Sequence, residues 1–242
     1  MLLSSLVRMK NMVLKPNDMK TNTETSRQKR LYALLLIPAF SAVLALNHFG
    51  FFFKSGSAGG GILILLVLYF NQLKRSKDVW AIIAAFLFSI GGDWFLSHRH
   101  GEPERFVAGI ALFFIAHIGY LWYALLKGRI RWIFTLILLV AYLLFFFLKL
   151  SPVINDQSLM FAALVYLLIS CFSLGGAVGL EAPAPERLAY IFGIFLILFS
   201  DTIIAFREFL GYRELSFLIL PTYYLAHLAI TFSLMYRKIA LN

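Results

Sequence analysis

The amino-acid sequence predicts an all-α polytopic membrane protein in which about eight transmembrane helices form one bundle. Of its 242 residues, 61% are hydrophobic and only 14% are charged, whereas about a quarter of the residues in a soluble domain carry a charge. Apolar segments of about 20 residues, the length that crosses a bilayer, follow one another from Leu31 almost to the C-terminus. Short clusters of lysine and arginine separate these segments. Together these observations exclude a soluble globular fold.

The first 30 residues differ from the rest of the chain. They are polar and basic, and they are predicted to form an N-terminal tail, residues 1–30, before a single transmembrane domain, residues 31–242. The tail lacks the apolar core and the small-residue cleavage site of a signal peptide. Its first 14 residues are weakly amphipathic, which is typical of a surface-bound helix. A disordered cytoplasmic tail is the alternative interpretation.

Eight helices are predicted from Leu31 onward by the length of the apolar segments. Their expected bounds are 31–53, 59–73, 79–98, 105–126, 131–150, 158–179, 187–207 and 215–236. The second helix is the shortest, because the glycines at 59–61 open it and Asn71 and Gln72 close it.

The distribution of basic residues predicts that both termini are cytoplasmic, since cytoplasmic loops are enriched in lysine and arginine. Basic clusters fall on one side, in the segment before Leu31 and at 74–77, 127–131 and 237–238. The basic residues of the opposite side are sparser: Lys54, Arg99, Arg105, Lys149, Arg207 and Arg213. In a bacterium this topology places the protein in the cytoplasmic (inner) membrane. The formal net charge of +10 therefore indicates topology, and no nucleic-acid partner is expected.

Two of the apolar segments carry an aspartate at membrane depth, Asp93 in the third helix and Asp201 in the seventh. A charged group there is costly, so such residues usually face a polar cavity and indicate a functional site. Each lies 14 residues past the predicted cytoplasmic end of its helix, which is about 21 Å of helix. We therefore expect the two carboxyl groups to meet in one polar pocket. The alternative is a structural hydrogen bond between helices.

A faint internal repeat relates the two halves of the chain. His117 follows Asp93 in the next helix, within Ile-Ala-His-Ile, and His227 follows Asp201 within Leu-Ala-His-Leu. The aspartate-to-histidine spacings are 24 and 26 residues. Parallel repeats of helices occur in transporters and other membrane folds, although so few matched residues also fit coincidence.

Several other side chains are candidates to support the site. His117 and His227 are expected about 10 Å deeper than the aspartates, so contact requires an offset between helices, and each is either a base or a structural residue. Tyr223 and Tyr224 are expected near the depth of Asp201, and one of them is expected to hydrogen-bond it. The remaining candidates are neighbours of the aspartates or of His117: Gly92, Tyr120 and Ser200.

Metal binding and cysteine chemistry find little support in the sequence. Two aspartates and two histidines have the ligand types of a metal site, but no helix carries a His-x-x-x-His or Glu-x-x-His pair. No metal and no organic cofactor is therefore expected. Cys171, the one cysteine, lies in an apolar segment, where a buried apolar role is expected in place of a nucleophile.

Four motifs in order carry a resemblance to a known family: Gly92-Asp93-x-x-Leu96, Gly109 with Ala116-His117-x-x-Tyr120, Ser200-Asp201-x-x-x-Ala205-x-x-x-Phe209, and Tyr223-Tyr224-x-Ala226. They resemble the YhhN family of membrane proteins, whose characterised members are lysoplasmalogenases. The second helix of the family tends to begin with Lys-Pro, whereas this chain has only Lys54, before the glycines at 59–61.

The resemblance implies hydrolysis of the vinyl ether of a lysoplasmalogen, with a choline or ethanolamine head group, to a fatty aldehyde and a glycerophospho-base. The partner is then a membrane lysophospholipid. One protonated and one ionised carboxyl group, Asp93 and Asp201, suit this reaction as acid and base. Two like charges close together in a low dielectric cannot both ionise, so the pair is expected to share a proton. The surrounding residues slightly favour Asp93 as the acid.

A proton-coupled transporter or a lipid-binding membrane protein is the alternative function, with the same aspartates as proton carriers. A purely structural protein is a third interpretation. The sequence leaves open whether the chain forms a homo-oligomer.

Overall fold

A computed structural model describes residues 27–240 of the protein. The chain divides into two compact units, Met1–Leu34 and Leu35–Asn242. Residues 27–33 of the first unit are helical. The predicted tail, residues 1–30, lies almost entirely outside the described residues.

The second unit is built from α-helices, which confirms the predicted all-α class. Its described helices are α1 (Leu36–Leu46), α2 (Phe51–Tyr69), α3 (Lys77–Ser97), α4 (Pro103–Leu126), α5 (Trp132–Phe145), α6 (Gln157–Val178), α7 (Ala184–Leu210) and α8 (Ile219–Ala240). Short 3₁₀ or π turns continue α2 through Arg75, continue α5 through Leu150 and precede α8 from Ser216. Within residues 27–240, eight helical segments are long and apolar enough to cross a membrane.

Local sequence signals explain several helix ends. Pro103 occupies the first turn of α4, where its missing N–H costs no hydrogen bond. The Asp156 side chain accepts a hydrogen bond of 2.8 Å from the backbone N–H of Leu159 and so caps α6. Gly211 ends α7 with a φ of 70°, a conformation that glycine adopts without a steric cost.

The predicted break between the first two helices was wrong. The first helix was expected to reach residue 53, but α1 ends at Leu46 and α2 begins at Phe51. His48 and Gly50 turn the chain there with φ values of 64° and 97°. Phe49 and the phenylalanines at 51–53 keep the segment apolar, so hydropathy does not reveal the turn. As a result Lys54 lies in the first turn of α2.

The glycines at 59–61 do not open a helix. They lie inside α2, where a Cβ on Gly60 would come within 2.9 Å of Pro38 in α1. A Cβ on Gly61 would come within 2.6 Å of both Phe86 of α3 and Thr231 of α8. These glycines therefore allow α2 to pack closely against three helices.

The core of the bundle lies where α3 packs along α4, α7 along α8, and α2 and α6 against these pairs. Phe86, Ile194 and Leu234 are fully buried there. In contrast, large apolar side chains such as Ile133 and Leu148 are 80% and 68% exposed. Such a surface is typical of a protein that faces lipid. Cys171 is buried in an apolar cluster with Phe146, Leu150, Ile154 and Leu167.

A buried ionic cluster joins the helices at the end opposite the α3–α4 and α7–α8 turns. Arg237 Nη1 lies 2.6 Å from Asp78 Oδ2, and Lys127 Nζ lies 3.4 Å from the same oxygen. Tyr123 donates a hydrogen bond of 3.1 Å to Glu186 and lies 3.4 Å from Arg237. From the sequence, Arg237 was expected only to mark the cytoplasmic side of the membrane. In the structure it is buried and forms an ion pair with Asp78 of α3.

Candidate active site

Asp93 and Asp201 line the same cavity, whose volume is about 240 Å³. Asp93 lies four residues before the end of α3, and Asp201 lies nine residues before the end of α7. Phe113 of α4 and Leu220 of α8 form part of the wall. The structure thus brings the two carboxyl groups to one cavity.

Each carboxyl group accepts a hydrogen bond from a tyrosine on another helix. Tyr223 of α8 donates to Asp93 Oδ2 at 3.0 Å, and Tyr166 of α6 donates to Asp201 Oδ2 at 2.5 Å. The sequence predicted that Tyr223 or Tyr224 would hydrogen-bond Asp201, which was wrong, because Tyr223 bonds Asp93 and Tyr224 bonds neither aspartate. Tyr224 lines the same cavity, and its buried hydroxyl has no hydrogen-bond partner among residues 27–240.

His117 reaches the Asp201 carboxyl group. Its Nε2 lies 3.1 Å from the Tyr166 hydroxyl and 3.7 Å from Asp201 Oδ2. The two side chains therefore meet despite the difference of about 10 Å in depth that the predicted helix ends implied. His117, Tyr166 and Asp201 therefore form one polar group.

Tyr166 is the residue that the sequence analysis missed. It lies in the middle of the apolar helix α6, and the helix offers no ionisable neighbour that would draw attention to it. The available signal was Ser170, one turn later, whose hydroxyl donates to the Tyr166 carbonyl at 2.8 Å. Both side chains face the interior of the bundle. Two polar residues four apart on an apolar helix mark one face.

His227 and Tyr120 contact residues that neighbour Asp93. The His227 Nδ1 is 3.4 Å from the Ser57 hydroxyl, and its ring meets the Tyr223 ring edge-on at 4.5 Å. The Tyr120 hydroxyl lies 3.2 Å from that of Ser89, one turn before Asp93. Both side chains are buried. His227 thus packs on the tyrosine that bonds Asp93, and Tyr120 braces α3 against α4.

Ser200 and Gly92 serve the packing of the site. The Ser200 hydroxyl donates to the Ile219 carbonyl at 3.0 Å and so ties α7 to the start of α8. A Cβ on Gly92 would lie 2.7 Å from the ring of Phe113. The Phe113 ring therefore fills the space beside Gly92, next to Asp93, where it forms part of the cavity wall.

A second, apolar cavity of about 90 Å³ adjoins the first. Its walls come from α3 to α7 and include Phe145, Leu167 and Ile204, with Tyr166 and Asp201 among the few polar groups. Asp201 lines both cavities. Its carboxyl group therefore lies where an apolar space meets a polar one.

Basic residues surround the polar cavity. Lys54 of α2, Arg99 and Arg207 line it together with the aspartates. Lys54 Nζ lies 3.5 Å from the Ser97 hydroxyl, one turn beyond Asp93. The first turn of α2 thus supplies a lysine to the polar cavity.

A comparison with protein families matches residues 53–234 to the YhhN family. The chain belongs to the YhhN family. The matched range begins in α2, ends in α8 and contains Asp93, Asp201 and Tyr166. No curated protein sequence and no solved structure matches this YhhN chain.

The arrangement found in this YhhN protein suits acid–base chemistry on an amphiphile. Two carboxyl groups share one cavity, each is held by a tyrosine, and an apolar cavity begins at one of them. A pair of carboxyl groups with one shared proton can donate a proton and accept one in the same turnover.

Proposed function

We propose that this YhhN protein is a lysoplasmalogenase-type ether hydrolase. It cleaves the vinyl ether of an alkenyl-glycerophosphocholine or -ethanolamine in the membrane to a fatty aldehyde and a glycerophospho-base. The observation that carries the proposal is Asp201, whose carboxyl group borders both the apolar cavity and the polar cavity that it shares with Asp93. The substrate has the same order of groups as the two cavities, because its vinyl ether joins an aliphatic chain to a polar glycerol.

The first step is proton transfer to the vinyl carbon on the chain side, which leaves an oxocarbenium cation. Asp201 is the donor in our proposal, because it lies at the apolar cavity from which the chain would approach. The sequence slightly favoured Asp93 for this role. Asp93 lines only the polar cavity of the two, so it lies on the glycerol side of the reacting bond.

The second step is the attack of water on the cation. Asp93, ionised, accepts a proton from this water, and a hemiacetal forms. Asp93 then returns the proton to the glycerol oxygen as the carbon–oxygen bond breaks, and the hemiacetal hydroxyl gives its proton to Asp201. One water is consumed, both carboxyl groups regain their first state, and the reaction requires neither a metal nor an organic cofactor.

The tyrosines and histidines orient the acid and the base. Tyr166 fixes one oxygen of Asp201, and His117 holds Tyr166 at 3.1 Å. Tyr223 fixes Asp93, and His227 packs against the Tyr223 ring. Holding both carboxyl groups before the substrate arrives lowers the reorganisation that the reaction needs.

Aldehyde release in detergent tests the proposal. The purified protein is incubated with a defined alkenyl-lysophospholipid, and the free aldehyde is measured by mass spectrometry. We expect aldehyde to form without a membrane gradient. A proton-coupled transporter would form none in detergent and would move solute only across a sealed membrane.

A further inference from the structure

We propose that Arg99, Arg207 and Arg213 bind the phosphate of a single-chain lysophospholipid. The inference rests on the proposed function, because it names the group of the substrate that the same site would hold. These three arginines, with Glu208 and Ser216, line a cavity of about 320 Å³ at the end of the bundle. Three arginines and one glutamate leave two net positive charges there.

The three arginines come from different parts of the chain. Arg99 follows α3, Arg207 lies in the last turn of α7, and Arg213 lies between α7 and α8. A basic residue at a helix C-terminus interacts favourably with the helix dipole, which accounts for Arg207. It does not account for the convergence of Arg99 and Arg213 on the same cavity.

Glu208 orders two of the arginines. Its Oε2 lies 2.7 Å from Arg99 Nη2, and its Oε1 lies 3.0 Å from Arg207 Nε. The Arg99 guanidinium also stacks over the Phe106 ring at 5.2 Å. Guanidinium groups that are already oriented lose little freedom when they bind a phosphate through paired hydrogen bonds.

Arg213 has no ion-pair partner within residues 27–240, and its side chain is exposed. Its charge is therefore free to bind an anion from outside. Together with the two ordered guanidinium groups it supplies hydrogen-bond donors to one cavity. Phosphate, with several acceptor oxygens, fits such a set of donors.

The arginine cavity adjoins the candidate active site. Arg99, Arg207, Glu208 and Ser216 line both this cavity and the one that contains Asp93 and Asp201. The order along the path is an apolar space, two carboxyl groups and a cationic space. A lysophospholipid has the same order of groups, with its phosphate three carbons away from the ether oxygen at the first glycerol carbon.

Binding of two saturated ether lipids tests this inference without the need for hydrolysis. The probes are a 1-O-alkyl-lysophosphatidylcholine and the matching 1-O-alkylglycerol, which lacks the phosphate. Their affinities are measured for the full-length wild type and for Arg207→Gln, Arg213→Gln and the double variant. Arg187→Gln is the matched control, because Arg187 is exposed near the start of α7, at the other end of that helix.

We expect each single substitution to weaken binding of the lysophospholipid roughly tenfold, as the loss of one charge-assisted contact predicts. The affinity of these variants for the alkylglycerol should not change. Arg187→Gln should bind both lipids with wild-type affinity. Equal losses for both lipids, or wild-type affinity in Arg213→Gln, would overturn the inference. Arg213 lies in an exposed turn, so its substitution leaves the bundle able to fold.

Inorganic phosphate distinguishes a lipid head group from a free anion. Competition by phosphate against the lysophospholipid, lost in the double variant, supports a shared phosphate site. Arginine-dependent binding of inorganic phosphate without any binding of the lysophospholipid would contradict the lipid assignment. Arginine-dependent lysophospholipid binding in a protein that releases no aldehyde would keep this inference and remove the proposed hydrolysis.

Discussion

The Tyr166 hydroxyl donates a hydrogen bond of 2.5 Å to Asp201 Oδ2 and so joins α6 to α7 where the apolar and polar cavities meet. His117 lies against the same hydroxyl from α4. The Asp201 carboxyl group is therefore held by side chains from two other helices. A carboxyl group held this way has little freedom to turn away from a bound substrate.

Removal of the Tyr166 hydroxyl is expected to slow the reaction. Tyr166→Phe should lower kcat about 10- to 100-fold with little change in KM. The Tyr166 hydroxyl stabilises the negative charge that develops on Asp201 as its proton leaves, and a hydrogen bond to a charged group contributes roughly 1.5–3 kcal/mol. Tyr142→Phe is the matched control, since Tyr142 lines the apolar cavity but bonds Thr202 at 2.8 Å. Steady-state kinetics of both variants check this, and equal effects would remove the positioning role of Tyr166.

Chemical rescue can distinguish the acid from the base. Asp93→Asn lacks the base that activates water, so azide should trap the cation and restore turnover, with an azido adduct visible by mass spectrometry. Asp201→Asn lacks the proton donor, forms no cation and should not respond to azide. Rescue of Asp201→Asn alone would reverse the two roles.

The apolar cavity should select the length of the aliphatic chain. Ala163 lines this cavity, so Ala163→Phe should lower kcat/KM for long-chain substrates about tenfold and leave short-chain substrates nearly unaffected, since poor fit in an apolar pocket costs roughly 1–3 kcal/mol. Ala141→Phe is the control, because Ala141 is exposed on α5. The ratio of kcat/KM for the two chain lengths is the measurement. An unchanged ratio in Ala163→Phe would place the chain elsewhere.

The buried ionic cluster is expected to affect stability and not chemistry. Arg237→Met leaves Asp78 without its 2.6 Å partner, and loss of one member of a buried ion pair costs about 3–5 kcal/mol. Asp78→Asn should also destabilise the protein, and the double variant should lose less than the sum of both. Thermal unfolding in detergent measures this. Strictly additive losses would show that the two side chains do not act as a pair.

Hydropathy and the scarcity of charge were enough to predict eight helices and to select Asp93 and Asp201. A carboxyl group in an apolar segment is a strong signal, because few structures tolerate it without a polar cavity. Tyr166 was not predicted, since a tyrosine is common in membrane helices and only its contact with Asp201 distinguishes it. The turn at residues 47–50 was missed because Phe49 within it and the phenylalanines at 51–53 after it keep the segment apolar.

The burial of Arg237 also could not be predicted from the sequence. Its place beside Lys238 near the end of the last helix fits a solvated basic cluster, and its partner Asp78 is far away in the chain. Pairing across such a distance depends on how α3 and α8 pack. The same is true of Arg99, which only the fold brings to Glu208, the sequence neighbour of Arg207.

The most direct measurement of the central claim is aldehyde release by Asp93→Asn and Asp201→Asn. Asp156→Asn is the matched control, because asparagine caps a helix about as well as aspartate and Asp156 caps α6. The account predicts aldehyde from the wild type and from Asp156→Asn, and none from the folded Asp93 and Asp201 variants. Near wild-type release from either of those two variants would contradict it.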